Sequence, residues 1–182
     1  MSTASSTTLA KRNGGLDATR RLVLTALMGA LLLVGKQVMS GLPNIEPVSL
    51  MVVLFSLELP RQTPGAIAVF LLLQGVLYGF GLWWAMYIYV WFVLMAITWL
   101  LRRLDSALGW AVVSGVFGLC FGALCAGVYL IARDWTFALA WWTAGLSYDV
   151  THAAGNFGIM LVWYRPRRRA LQTVKQQLHW AE

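Results

Sequence analysis

Apolar residues in this chain come in long, nearly unbroken runs, separated by short polar segments. Runs without a polar face read as helices that are buried all round or embedded in lipid. A hydrocarbon core about 30 Å thick takes roughly 20 apolar residues per helix. Six segments fit: about Arg21 to Ser40, Pro47 to Leu59, Pro64 to Phe80, Trp84 to Leu101, Ala107 to Ala132, and Phe137 to Trp163. The expected fold is therefore an all-α integral membrane protein with six transmembrane helices. The second segment is short, because Glu58, Pro60 and Pro64 end it and start the third; proline lacks the amide donor and disfavours helix in the residue before it.

The flanks differ in character. Residues 1–19 are rich in Ser, Thr and Gly, carry Lys11 and Arg12, and read as a disordered cytoplasmic tail. Residues 20–164 form the membrane domain, and residues 165–182 a basic cytoplasmic tail, either solvated or an amphipathic helix on anionic headgroups. Arg20 and Arg21 ahead of Leu22 to Val34 resemble the start of a signal peptide. The apolar run continues to about Gly41 without a small-residue cleavage site, which favours a first span.

Composition supports the membrane reading. The 182 residues are 59% hydrophobic and 12% charged, with a mean hydropathy of +0.68, outside the range of ordinary soluble domains. A net charge of +7 raises the question of nucleic acid, but the basic residues flank apolar runs and form no stripe with interleaved aromatics. They report topology instead. With six spans drawn, Lys11, Arg12, Arg20, Arg21, Arg61, Arg102, Arg103, Arg165, Arg167, Arg168, Arg169 and Lys175 fall on one side, leaving Lys36 and Arg133 of the 14 basic residues for the other. By the positive-inside rule both termini are cytoplasmic, and the expected location is a cell membrane crossed several times. Cys120 and Cys125, five positions apart in one apolar run, suit neither a metal site nor a disulfide and read as packing residues.

Small residues recur at helical spacing: Ser114, Gly118, Gly122 and Ala126 in the fifth span, Gly75 and Gly79 in the third, Ala26 and Ala30 in the first. Such stripes let helices approach closely, and packing is their usual role.

The chemistry concentrates in the last span. Asp149, His152 and Asn156 are polar residues inside an apolar run, and taking about 100° per residue they share one face with Trp142 and Gly145. Ionisable groups at membrane depth usually mark a ligand or ion pathway, with a structural helix-to-helix lock as the alternative. Outward loops hold Asn44 and Glu46 between two prolines, and an aromatic stretch with Tyr78, Trp83, Trp84 and Tyr87. Most of these aromatics suit an interfacial belt, yet Trp83, Trp84, Trp91, Trp135, Trp141 and Trp142 crowd the outer ends, where flat surfaces suit a ligand with ring systems. Lys36 either snorkels to headgroups or pairs with Glu46 or Asp149.

The loop Leu42, Pro43, Asn44, Ile45, Glu46, the stretch Gly79 to Trp84, and Trp141 to Gly145 with Asp149, His152 and Asn156 together resemble the substrate-specific S components of energy-coupling factor (ECF) vitamin transporters. The resemblance covers about Arg20 to Tyr164. It implies a binding subunit of an ABC importer and not an enzyme: the chain captures a vitamin or precursor outside, then reorients on a scaffold membrane subunit driven by two ATPase subunits. No phosphate-binding loop occurs here, so hydrolysis would belong to those partners. The family's docking motif, two alanines separated by three residues, matches Ala26 and Ala30. The implied substrate site is Asn44, Glu46, Tyr78, Trp83, Trp84, Tyr87, Trp142, Asp149, His152 and Asn156, with no cofactor or metal. Cobalamin is slightly favoured as ligand over smaller heterocycles such as a thiamine precursor or a deazapurine. A stand-alone secondary transporter that relays protons through Asp149 and His152 is the competing expectation.

Overall fold

The computed structural model describes residues 3–42 and 44–177, with side chains from residue 18 onward. Pro43 of the first loop motif and the end of the basic tail, 178–182, lie outside the described residues, as do the side chains of Lys11 and Arg12. Among the described residues seven helices follow one another: α1 Thr3–Val38, α2 Val48–Glu58, α3 Thr63–Tyr78, α4 Leu82–Leu100, α5 Ala107–Ala132, α6 Trp135–Ala144 and α7 Leu146–Gln177. The described residues contain no strand. Three stretches, Ala18–Val38, Leu82–Leu100 and Ala107–Ala132, are long and apolar enough to cross a membrane, while α2 and α3 are apolar but shorter. The protein is thus all-helical and of membrane character.

Short connections make the sequential helices from α1 to α5 antiparallel. One end of the bundle carries Glu58, Asp105 and Arg168, and the other carries Lys36, Glu46, Tyr78 and Tyr87.

α2 is the centre. Its sequence VSLMVVLFSLE has no polar face, and nine of its residues are buried, from Val48 to Glu58. At about 1.5 Å per residue it extends only about 16 Å, so it fits within the bundle, packed on α4 and α7. Ser56 returns its hydroxyl to the Val52 carbonyl at 2.7 Å, which satisfies it without a partner helix.

α1 lies along α3 because Gly29 removes the side chain at their crossing. A Cβ there would sit 2.6 Å from Val69 Cβ and 2.9 Å from the Ala66 carbonyl oxygen. Gly29→Val is expected to cost about 1–3 kcal/mol through overpacking, read as a lowered thermal midpoint; an unchanged midpoint would show that α1 is not held there.

The stripe in α5 performs the packing expected of it. Ser114, Gly118, Gly122 and Ala126 are buried, and a Cβ on Gly118 would come within 2.9 Å of the His152 carbonyl and the Ala153 amide nitrogen of α7. Gly75 and Gly79 do something else. Gly75 is covered by the Phe80 ring of the following turn, and Gly79, at φ 84, ends α3 in a backbone region that favours glycine.

α1 begins at Thr3, so its backbone runs through residues 3–19, and α7 continues past Arg165 to Gln177. The α7 extension is held by its own side chains: Arg168 Nε and Gln172 Nε2 donate to Glu58 Oε1 at 2.7 and 2.8 Å, and Lys175 Nζ to the Glu58 carbonyl at 3.1 Å. These residues follow helical spacing and close on the end of α2. Burial opposes the Arg168 charge, but hydrogen bonding to Glu58 and the carboxylates of Glu58 and Asp105 outweigh it and raise its pKa.

The last expected span, Phe137 to Trp163, is divided at Gly145 into α6 and α7. The aromatic belt also proves mixed. Trp135, Trp163 and Trp99 are exposed, whereas Trp91 and Trp110 are fully buried core residues.

Candidate functional site

The break at Gly145 puts Asp149 in the first turn of α7, where the Gly145 carbonyl accepts from the Tyr148 and Asp149 amides at 2.9 and 3.2 Å. From there Asp149, His152 and Asn156 follow one face toward α5, and all are at most 5% exposed. The shared face deduced from periodicity therefore exists for these three.

Asp149 and Asn156 are each half satisfied. Asp149 Oδ1 accepts from the Gly122 amide at 2.9 Å, an approach possible only because Gly122 lacks a Cβ. Asp149 Oδ2 has no donor. Trp142, at the end of α6, is the side chain beside this carboxylate, with an indole N–H that meets no acceptor in hydrogen-bond geometry. Asn156 Nδ2 donates to the Ser114 carbonyl at 3.3 Å, leaving Asn156 Oδ1 and Ser114 Oγ unpartnered. His152 packs its ring on Phe121 at 4.7 Å between centroids, and its Nε2 is unpartnered. Buried polar atoms without partners are uncommon and call for a physical reason.

Above this face stands an aromatic group. Phe121 meets Tyr87 at 5.9 Å and Trp91 at 5.7 Å, and Tyr87 meets Trp83 at 5.7 Å and Trp91 at 5.8 Å, mostly edge to face. Tyr78 joins through Trp83 at 6.4 Å and also donates its hydroxyl to Gln37 Oε1. The structure thus links Tyr78, Trp83 and Tyr87 to His152 through Phe121.

Lys36 resolves toward Glu46. Its Nζ lies 3.0 Å from Glu46 Oε2 and 3.3 Å from the Tyr87 hydroxyl. The pair is partly buried, with side-chain exposures of 23% and 13%. The loop is pinned a second time by Ile45, whose side chain lies where a Cβ on Gly155 would be only 3.0 Å away. Lys36→Met is expected to destabilise the fold by about 1.5–3 kcal/mol, the worth of a charged hydrogen bond. Glu46→Gln added to it should recover part of that loss; a double variant no more stable than the single would deny the pairing.

Other expected residues stand apart. Trp84 turns toward α3, donating its indole N–H to the Leu71 carbonyl at 2.8 Å and meeting Phe80 at 5.0 Å. It is not part of the Tyr87 group. Asn44 is exposed, with φ 58, a left-handed turn position that Asn tolerates. Ala26 is exposed and Ala30 half-buried, on the side of α1 that also presents Leu22, Val23, Leu27 and Val34.

Sequence reasoning missed other buried polar groups and the ring that joins the aromatics to His152. Gln74 was visible as a polar residue in the third span; it is 1% exposed with both amide atoms unpartnered. Its isolation among apolar neighbours was the available signal. Trp91 Nε1 is unpartnered too. Phe121 carried no signal, being one apolar residue in an apolar helix. Among the described residues no three His, Cys, Asp or Glu side chains form a metal-holding group.

No protein-family model, curated protein or solved structure matches the chain.

Proposed function

We propose that the protein is the substrate-binding S component of an ECF-type ABC importer, taking a vitamin or vitamin precursor from outside the cell. The observation that carries this reading is the α7 face itself: Asp149, His152 and Asn156 are buried along the helix that follows the break at Gly145, each with an unpartnered polar atom. Interrupted membrane helices commonly line substrate sites, and buried ionisable groups mark them.

In this reading α6 and α7 together make one interrupted span, so α1 to α5 and this unit form six. The basic end is cytoplasmic, with both termini there, and the Lys36, Glu46 and Tyr87 end faces outward in a prokaryotic plasma membrane. A scaffold membrane subunit and two ATPase subunits supply energy, and the Ala26 and Ala30 side of α1 is the docking surface for the scaffold.

The unpartnered groups also favour a ligand chemistry. Asp149 Oδ2 and Asn156 Oδ1 accept, and the Trp91 indole donates. A compact planar heterocycle with N–H donors beside a ring acceptor, such as an aminopyrimidine precursor or a deazapurine, complements that set. Cobalamin would stack on the same aromatics, but it would have to open the edge-to-face contacts of Tyr87, Trp91 and Phe121.

Reconstitution tests the class of protein. The chain alone in proteoliposomes is expected to bind ligand without accumulating it, and accumulation is expected only with scaffold and ATPases added. Uphill uptake by the chain alone, abolished by a proton uncoupler, would instead establish a secondary transporter.

A further inference from the structure

We propose that a cavity at the basic end of the bundle binds a phosphate group, carried in the membrane by the headgroup of an anionic phospholipid. The cavity measures about 350 Å³ and is lined by Asp105, Tyr164, Arg165, Arg168, Arg169 and Gln172. Three guanidiniums, a phenol and a carboxamide face one carboxylate. That is a lining rich in donors.

The single carboxylate does not neutralise it. Asp105 is 86% exposed and already pairs with Arg168 Nη1 at 2.5 Å, while Arg168 Nη1 also donates to the Tyr164 hydroxyl at 2.9 Å and its Nε to Glu58. Arg165 and Arg169 are exposed, and neither pairs with an acid among the described residues. They stand one helical turn apart, a spacing at which like charges repel. An anion bridging them removes that repulsion, and the guanidinium fork matches phosphate oxygens two at a time.

Depth selects the source of the phosphate. Trp163, 47% exposed, is next in the chain to the cavity residue Tyr164 and carries the Arg167 guanidinium over its ring at 5.1 Å. Exposed Trp marks the level of the headgroups, and basic pockets at that level bind anionic lipid heads. The inference needs only the membrane character of the chain and is independent of the vitamin-binding reading.

The test uses the full-length protein and native mass spectrometry with phosphatidylglycerol, phosphatidylcholine or excess inorganic phosphate. One equivalent of phosphatidylglycerol is expected to be retained in preference to phosphatidylcholine. R165Q/R169Q should reduce that retention about tenfold or more, as loss of charge-assisted hydrogen bonds requires. R102Q/R103Q, at the same end but outside the cavity, should leave it unchanged. D105N, which removes the competing carboxylate and keeps the arginines, should retain the lipid at least as well as the natural chain. Displacement of lipid by inorganic phosphate in the natural chain would assign the same site to soluble phosphate also. Equal retention of the two lipids, or an equal loss in R102Q/R103Q, would overturn the proposal, as would wild-type retention in folded R165Q/R169Q.

Discussion

Asp149→Asn is expected to weaken ligand binding about 10- to 100-fold, the equivalent of roughly 1.5–3 kcal/mol for a hydrogen bond to a charged group. The substitution separates the two jobs the carboxylate can do. Its Oδ1 accepts from the Gly122 amide across the α5 and α7 crossing, and an asparagine carbonyl can still accept there. Only the second oxygen, Oδ2, and the charge are lost, and Oδ2 is the atom without a protein donor. Thermal stability should therefore change little while affinity falls. If affinity were preserved and stability collapsed, Asp149 would be a lock between helices. His152→Ala should weaken binding as well, by removing the ring that packs on Phe121.

Ala26→Trp carries the second large effect, with the opposite signature. Ala26 is exposed on α1, one residue from Leu27, which is 57% exposed, and away from Gly29, which meets α3. Because Ala26 is exposed, a large ring there should leave fold and ligand affinity unaffected. Docking of a scaffold helix depends on small residues that let backbones approach. Losing about 2 kcal/mol or more of that contact, the scale of an interface hot spot, corresponds to roughly a 30-fold loss of complex. Uptake in a reconstituted system should fall to background with binding intact. Loss of ligand binding in this variant would remove the docking assignment, and normal uptake would place the scaffold on another face.

Much of the fold was legible because hydropathy alone delimits helices in a chain of this kind. The fifth segment was placed at Ala107 to Ala132, the bounds of α5, where Ser106 caps the helix by accepting from the Gly109 amide at 3.2 Å. α2 and α3 also fall where Pro47, Pro60 and Pro64 put them. The division at Gly145 was not legible, since the run from Trp141 to Val150 stays mainly apolar through it and a single glycine is common within membrane helices. A helix past Arg165 was one of the two expected forms of the tail, but its attachment to α2 was hidden for another reason. It depends on Arg168, Gln172 and Lys175 finding Glu58, more than one hundred positions away in the chain.

The candidate site was half legible. Ionisable residues in an apolar run stand out, so Asp149, His152 and Asn156 were found, and their spacing correctly put them on one buried face. Partners contributed by other helices had no such mark. Gly122 looked like packing, and its amide turned out to hold Asp149. Trp83 and Trp84 looked like a pair, yet neighbours in a helix point about 100° apart. Trp83 joins Tyr87, and Trp84 faces the Leu71 carbonyl.

The central claim is that this chain alone captures a small molecule on the α7 face, and titration of its tryptophan fluorescence tests that most directly. The purified protein, without ATP or partners, would be titrated with a panel spanning cobalamin, thiamine precursors, deazapurines and other heterocyclic vitamins. The account predicts saturable quenching by one compound at one equivalent, weakened in Asp149→Asn and retained in Ala26→Trp. No response to any compound, from protein whose helicity and thermal transition show it to be folded, would contradict it.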